Sequence, residues 1–271
     1  MRPTVAFISD FGTRDYYVGA LRGAVLAACP DATVVDITHE VSPHDIEEGA
    51  WSLAAAYQAF PPRTVFLAVV DPGVGNGRRG IAIETAGYRF VGPDNGIFSH
   101  ILARNPDARV HEIRNAGLFR HEVSPTFQGR DVFAPVAGHL ALGAGLDQVG
   151  PPAGDLEMVE LRPPRQIDDA VWEVPIVHVD QLGNLITSMS EEDLRVVLTG
   201  VDGDVTAVVA VLDDTIMPLV RAYGQLSVGE PCALVGGSGH LEVAINRGSA
   251  AAELEAGRGS AVRLRVVGPG A

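Results

Sequence analysis

Several apolar, strand-like runs of this chain stop at an aspartate with a glycine close behind: Ser9-Asp10-Phe11-Gly12, Val70-Asp71-Pro72-Gly73 and Val179-Asp180-Gln181-Leu182-Gly183. Open α/β sheets bind ligands beyond the carboxyl ends of their strands, so carboxylates placed there point to a polar ligand. Taken singly, each aspartate also suits a turn or a helix cap. Asp71 opens the loop DPGVGNGRRG, whose glycines let the backbone wrap closely around a small molecule and whose arginines, Arg78 among them, can return a cation to Asp71. A plain hairpin loop is the competing reading, and the GxGxxG spacing of a dinucleotide site is missing. Further on, Thr126–Asp131 reads TFQGRD where the start of a helix needs only a cap. Gln128 can donate and accept hydrogen bonds but cannot take a proton at neutral pH. It either points a hydrogen-bonding group at a reaction centre or caps the helix that begins near Asp131. His44, in SPHDIEEG, stands just before another helix start, where Asp45 is the natural cap.

Other chemistries are excluded by residue type. The 20 basic residues are all arginine, so neither a P-loop lysine nor a Schiff-base lysine is available. The eight histidines show no HExxH, His-x-His or i, i+4 spacing, and Cys29 and Cys232 match no CxxC pattern, so no metal site is expected and the two thiols read as buried. A net charge of -14 repels a phosphate backbone, which argues against nucleic acid as a partner. No apolar run reaches the roughly 20 residues that span a bilayer, and MRPTVAFISDF lacks the apolar stretch and cleavage site of a signal peptide. A cytoplasmic protein without membrane partners is expected.

The elements that must position these residues follow from periodicity. TVAFIS, ATVVDIT and TVFLAVV read as strands, and YYVGALRGAVLAA and DIEEGAWSLAAAYQAF as helices between them. RGIAIETAGYRFVGPDNGIF gives two more strands with a turn, and RDVFAPVAGHLALG a last helix. The alternation predicts an α/β domain built on a mainly parallel sheet. Gly150–Gln166, rich in proline and glycine, reads as a linker, which places the domain boundary near residue 165. Beyond it, short β-type runs separated by turns (VPIVHVDQLGNLITSM, VTAVVAVL, CALVGGSGHLEVAI and SAVRLRVVG) predict a small all-β, barrel-like domain over 166–271.

SDFGTRDYYVGALRG, SPHDIEEGAW, VVDPGVGNGRR, VGPDNGIFS, TFQGRDVFAPVAGHLA, VDQLGNL and GSGHLEVAINRG, in that order, resemble the S-adenosyl-L-methionine (SAM) hydrolases that form adenosine. These are the SAM hydroxide adenosyltransferases, relatives of the SAM-dependent fluorinase and chlorinase. The resemblance runs from Ile8 to about Gly248. It implies an α/β domain, a carboxy-terminal β-barrel, no metal or organic cofactor, and a homotrimer that holds SAM between one subunit's first domain and a neighbour's second. It further implies that Asp10 holds the ribose hydroxyls, that His44 packs beside the ribose, and that Asp15 and Asp180 lie near the methionine moiety. Asn184 takes the place of the adenine contact, and Arg247 that of a carboxy-terminal residue holding the ligand. Asp71 and Arg78 match two of the three water-activating groups of the hydrolases. The third, a histidine in TFHGRD, falls on Gln128.

The implied reaction is attack of water on the ribose 5′ carbon, giving adenosine and L-methionine. Methionine leaves as a neutral thioether and needs no acid, so the difficulty lies in activating water, whose bulk pKa is about 15.7. Gln128 can position that water without acting as its base. Two alternatives remain: a SAM- or adenosine-binding protein with catalysis weakened at Gln128, and a SAM-dependent halogenase. The Asp71/Arg78 pair disfavours the second, because halogenases use a loop unlike DPGVG to desolvate halide.

Overall fold

The computed structural model describes residues 2–267 and divides the chain into two compact units, residues 1–161 and 162–271. In the first unit β1 (Thr4–Ser9), β2 (Thr33–Thr38), β3 (Val65–Val69), β4 (Gly80–Glu84), β5 (Arg89–Pro93) and β6 (Arg109–Glu112) form one sheet in the order β2-β1-β3-β5-β4-β6. β2, β1, β3 and β5 run parallel, as the alternation of strands and helices predicts, while β4 is antiparallel to both of its neighbours. The hairpin that joins β4 to β5 is too short for a crossover and leaves antiparallel pairing as the accessible geometry.

Alternate residues of the central strands feed two cores, as a sheet covered on both faces requires. Val5, Phe7, Val65, Leu67 and Val69 pack with helix α1 (Tyr17–Ala28), which buries Val18, Leu21, Ala24 and Val25 along one stripe. Ala6, Ile8, Phe66, Ala68 and Val70 pack on the other face with α2 (Ile46–Ala56) and α3 (Ser99–Arg104). Asp45 caps α2 by accepting the Glu48 N–H at 2.9 Å, with Glu47 and Glu48 favourably placed in its first turn. Helix α4 (Ala134–Ala141) joins α1 on the first face. A side chain at Gly138 would press on Ala28 Cβ at 2.7 Å and Val25 O at 3.0 Å, so glycine sets how closely α4 lies on α1. Residues 150–161, read from composition as linker, are fastened to this unit. Arg79 donates to Gly154 O at 3.1 Å and Asp155 O at 2.8 Å, and Asp94 and Ser99 accept the Glu157 and Val159 N–H groups.

The second unit is barrel-like. β7 (Arg165–Asp168), β8 (Val171–Val179), β9 (Leu185–Ser190), β10 (Val208–Leu212), β11 (Thr215–Pro218), β12 (Pro231–Val235), β13 (His240–Ile245) and β14 (Ala261–Val266) pair antiparallel in the order β11-β10-β14-β8-β9-β13-β12, with β7 on β8. The two ends of that path meet where Val220 donates to Ala233 O at 2.9 Å, which nearly closes the sheet around its own core. Helix α5 (Glu191–Thr199), capped by Ser190, and the single turn α6 (Ala250–Glu253) add helix to a domain that the sequence reads as all β.

Candidate active site

β1 and β3 are neighbours in register, Ser9 opposite Val69, so the residues just beyond them, Asp10 and Asp71, emerge side by side. The chain leaves β1 for β2 on one side and returns to β3 on the other, with α1 and α2 on opposite faces of the sheet. Here the strand order reverses, and a crevice opens at the carboxyl ends. A pocket of about 280 Å³ occupies it, lined among others by Asp10, His44, Asp71 and Gln128.

Each of these residues is held by local structure. Asp10 Oδ2 accepts the backbone N–H of His44 at 2.9 Å, and the His44 ring nitrogen Nδ1 lies 3.9 Å from the same oxygen. His44 adopts φ 69°, a left-handed conformation that is costly for a residue with a Cβ and that turns its N–H toward Asp10. Its side chain stays 74% exposed, open to a ligand face. Asp71, with a side chain only 6% exposed, receives a guanidinium fork: Arg78 Nε lies 2.8 Å from Oδ1 and 3.0 Å from Oδ2, and Nη2 also reaches Oδ2. Arg78 stands behind Asp71 and is not among the residues that line the pocket; its guanidinium lies 4.9 Å over the Phe133 ring. The loop therefore does return a cation to Asp71, and the absence of a Cβ at Gly73, which would sit 3.4 Å from Arg78 Cγ, leaves room for it.

Gln128 precedes a turn of π-helix, Gly129–Phe133, that leads into α4. Such turns are uncommon and concentrate at functional sites. Gln128 makes no cap hydrogen bond to this turn, so the capping alternative for it is not realised. The turn is anchored by Asp131, whose side chain is 1% exposed. Arg130 grips it with Nε at 2.7 Å from Oδ1 and Nη2 at 2.8 Å from Oδ2, and the Ser124 N–H donates to Oδ2 at 2.9 Å. Burial works against the Asp131 charge, but these donors outweigh it and hold the carboxyl below its usual range. Arg130 in turn lies 4.8 Å over the Phe127 ring. Beneath the turn, a Cβ at Gly129 would meet Val69 at 3.2 Å, so Gly129 lets the glutamine backbone approach the end of β3.

Residues that motif reading did not single out complete the wall. Phe11, Tyr17 and Phe127 meet edge to face, Tyr17 to Phe127 at 5.3 Å and Phe11 to Phe127 at 6.1 Å, and all three line the pocket. Their signal in the sequence is proximity: Phe11 follows Asp10, and Phe127 precedes Gln128. Asp15 lies on the exposed turn before α1, outside the pocket lining.

The remaining expected ligand contacts belong to the second unit. Asp180 and Asn184 form one turn between β8 and β9: Asp180 Oδ1 accepts the Leu182 and Asn184 N–H groups, each at 2.9 Å, and Oδ2 accepts Asn184 Nδ2 at 2.9 Å. Asn184 is 6% exposed, and Gly183 between them takes φ 82° with Ser249 packed where a Cβ would be. Arg247, exposed at φ 60°, follows β13.

Residues 5–150 match the SAM hydroxide adenosyltransferase N-terminal domain, and residues 174–263 the C-terminal domain of that family. The chain belongs to the SAM hydroxide adenosyltransferase family. Within it, the chain is 36% identical to the (R)-S-adenosyl-L-methionine hydrolase of Thermus thermophilus, over 97% of this chain and 100% of that one. The (R)-S-adenosyl-L-methionine hydrolase of Salinispora tropica is also 36% identical, over 97% of each chain. A fluorinase from an Actinoplanes species is more distant, at 29% identity over 90% of this chain and 91% of the relative. The crystal structure of an uncharacterized conserved protein from Thermotoga maritima superposes with a TM-score of 0.89 at 33% identity, covering 96% of this chain and 99% of that one.

Proposed function

We propose that this member of the SAM hydroxide adenosyltransferase family hydrolyses SAM to adenosine and L-methionine. The observation that carries the reading is Asp71, gripped from behind by Arg78 and lining the same crevice as Asp10 and Gln128. Water attacks the ribose 5′ carbon, its oxygen forms the new C–O bond, and the C–S bond breaks with its electrons returning to sulfur. The positive charge of the sulfonium is thereby discharged and methionine leaves as a thioether. The water proton passes toward Asp71, whose oxygens are oriented by the Arg78 fork and keep lone pairs free for the pocket. Arg78 favours the developing hydroxide through the field of its partly buried charge. Gln128 orients the water, and holding it in line with the C–S bond contributes through effective molarity.

In the same reading Asp10 binds the ribose diol, His44 packs beside it, and Asp15 lies toward the methionine end. Asp180 lies near the methionine moiety, Arg247 of the carboxy-terminal segment helps hold the ligand, and Asn184 reads adenine. The same reading includes a homotrimer whose sites form between subunits. Incubating the protein with SAM, with and without chloride, and separating the products tests the activity: adenosine and methionine in equal amounts, independent of chloride, are expected. A 5′-chlorinated nucleoside would identify a halogenase, and SAM binding without any product would identify a binding protein.

A further inference from the structure

Behind Asp10 lies a second layer that the proposed chemistry does not use. Ser9, fully buried at the last position of β1, shares a 2.8 Å hydrogen bond between its Oγ and Nδ1 of His39. His39 is itself 3% exposed and follows β2. Its other ring nitrogen, Nε2, lies 3.1 Å from Asp36 Oδ1, within ion-pair reach though not aligned for a hydrogen bond. Asp36 is gripped by Arg22 of α1 through Nε at 3.2 Å and through Nη2. The Phe7 ring packs edge-on against the imidazole at 4.5 Å. If Nδ1 accepts from the Ser9 hydroxyl, the neutral ring carries its proton on Nε2, 3.1 Å from Asp36 Oδ1 but not aligned with it.

This chain ends at the turn that presents Asp10. Ser9 Oγ accepts the Phe11 N–H at 3.4 Å, and the His39 carbonyl accepts the Gly12 N–H at 2.7 Å, so both amides beyond Asp10 are tied to the Ser9–His39 pair. We propose that His39 is a positioning residue, which through Ser9 and the Asp10–Gly12 turn sets the orientation of the Asp10 carboxylate and of the Phe11 wall; this rests on the ribose role proposed for Asp10. Burial of a histidine at this point, instead of an apolar residue, supplies an acceptor for the Ser9 hydroxyl that a hydrocarbon side chain cannot. Because ribose contacts persist from bound substrate to transition state, loosening them raises KM and leaves kcat nearly unchanged.

The test is a double-mutant cycle read by calorimetry with adenosine as the probe, together with KM and kcat for SAM. Asp10→Ala is expected to weaken adenosine binding on the order of 100-fold. His39→Leu, close to histidine in volume, is expected to weaken it on the order of 10-fold and to raise KM by a similar factor with kcat within about twofold. Ser9→Ala is expected to reproduce the effect, and His39→Asn, which keeps an acceptor near the Nδ1 position, to recover part of it. In Asp10→Ala the further change His39→Leu is expected to cost well under its roughly 10-fold effect in the parent, leaving only the part carried by Phe11. Multiplying losses in the double variant, or unchanged adenosine affinity in both His39→Leu and Ser9→Ala, overturns the positioning role while leaving the site assignment in place. Unchanged affinity in Asp10→Ala overturns the ribose assignment as well. Should His39→Leu not fold, the cycle with Ser9→Ala decides in the same way.

Discussion

Replacing Gln128 by histidine asks whether this position faces the attacking water. Gln128 makes no side-chain hydrogen bond to the π-helical turn it precedes, so the substitution breaks none, and stability is expected to stay within about 0.5 kcal/mol. The turn itself is anchored elsewhere, by Asp131 with Arg130 and Ser124, so the new ring inherits the glutamine's direction into the pocket. A base at that point adds to water activation by Asp71, and a positioned base is worth roughly 10²- to 10⁴-fold in other enzymes. In the proposed mechanism Asp71 and Arg78 already activate the water, so the lower end is expected, a gain in turnover on the order of 10². The gain is confined to the neutral ring. With an ordinary histidine pKa of about 6.5, roughly three quarters of the rings are neutral at pH 7 and about a tenth at pH 5.5, so the gain shrinks about eightfold between them. Initial rates of adenosine release at saturating SAM from pH 5.5 to 8, for both proteins, measure this directly. A folded Gln128→His variant with the parent's turnover and pH profile would remove Gln128 from the reaction centre and with it the water-orienting role.

Asp71→Asn leaves Arg78 facing a neutral amide and is expected to lower kcat by a factor on the order of 10² or more with SAM affinity within a few-fold; full activity would end the proposed mechanism. Burial, reinforced by Arg22 and opposed by Glu40, lowers the His39 pKa from 6.5 to about 4. The unfolded chain therefore takes up this proton first, and the stability present above pH 6.5 is lost as pH falls toward 4, by about 3 kcal/mol over that window. Denaturant unfolding at pH 7.5 and pH 4.5 should show the loss between them smaller by about 2.5 kcal/mol in His39→Leu, where Ser9, Asp36, Arg22 and Glu40 remain, and an identical loss in both proteins would contradict it. Gly183→Ala places a Cβ against Ser249 at a position with φ 82°, and is expected to destabilise the protein by about 1–3 kcal/mol in denaturant unfolding; parent-like stability would show that the Asp180–Asn184 turn can relax.

Much of the molecule is legible in the order of its residues, because periodicity and strand-end chemistry are local properties. The alternation of Val5, Phe7 with Ala6, Ile8 announces a strand covered on both faces, and the parallel pairing of β1 with β3 then obliges Asp10 and Asp71 to share one crevice. The ordered motifs suffice to recognise the family, and the two arginines that close the DPGVGNGRRG loop announce that a cation can return to Asp71. What depended on the tertiary structure involves partners far apart in the chain. Composition marks residues 150–166 as a linker, yet Arg79 and Asp94 fasten backbone groups of residues 154–157 to the first unit, through partners that no local pattern encodes. The antiparallel course of β4 follows from a hairpin whose strands look no different from their parallel neighbours. The three-ring wall joins Phe11, Tyr17 and Phe127 across more than a hundred residues, and His39 reaches Ser9 across thirty, because two strands lie side by side. Side-chain types state which chemistry is available to this chain; only folding, by bringing buried donors and acceptors into reach, decides which of them meet.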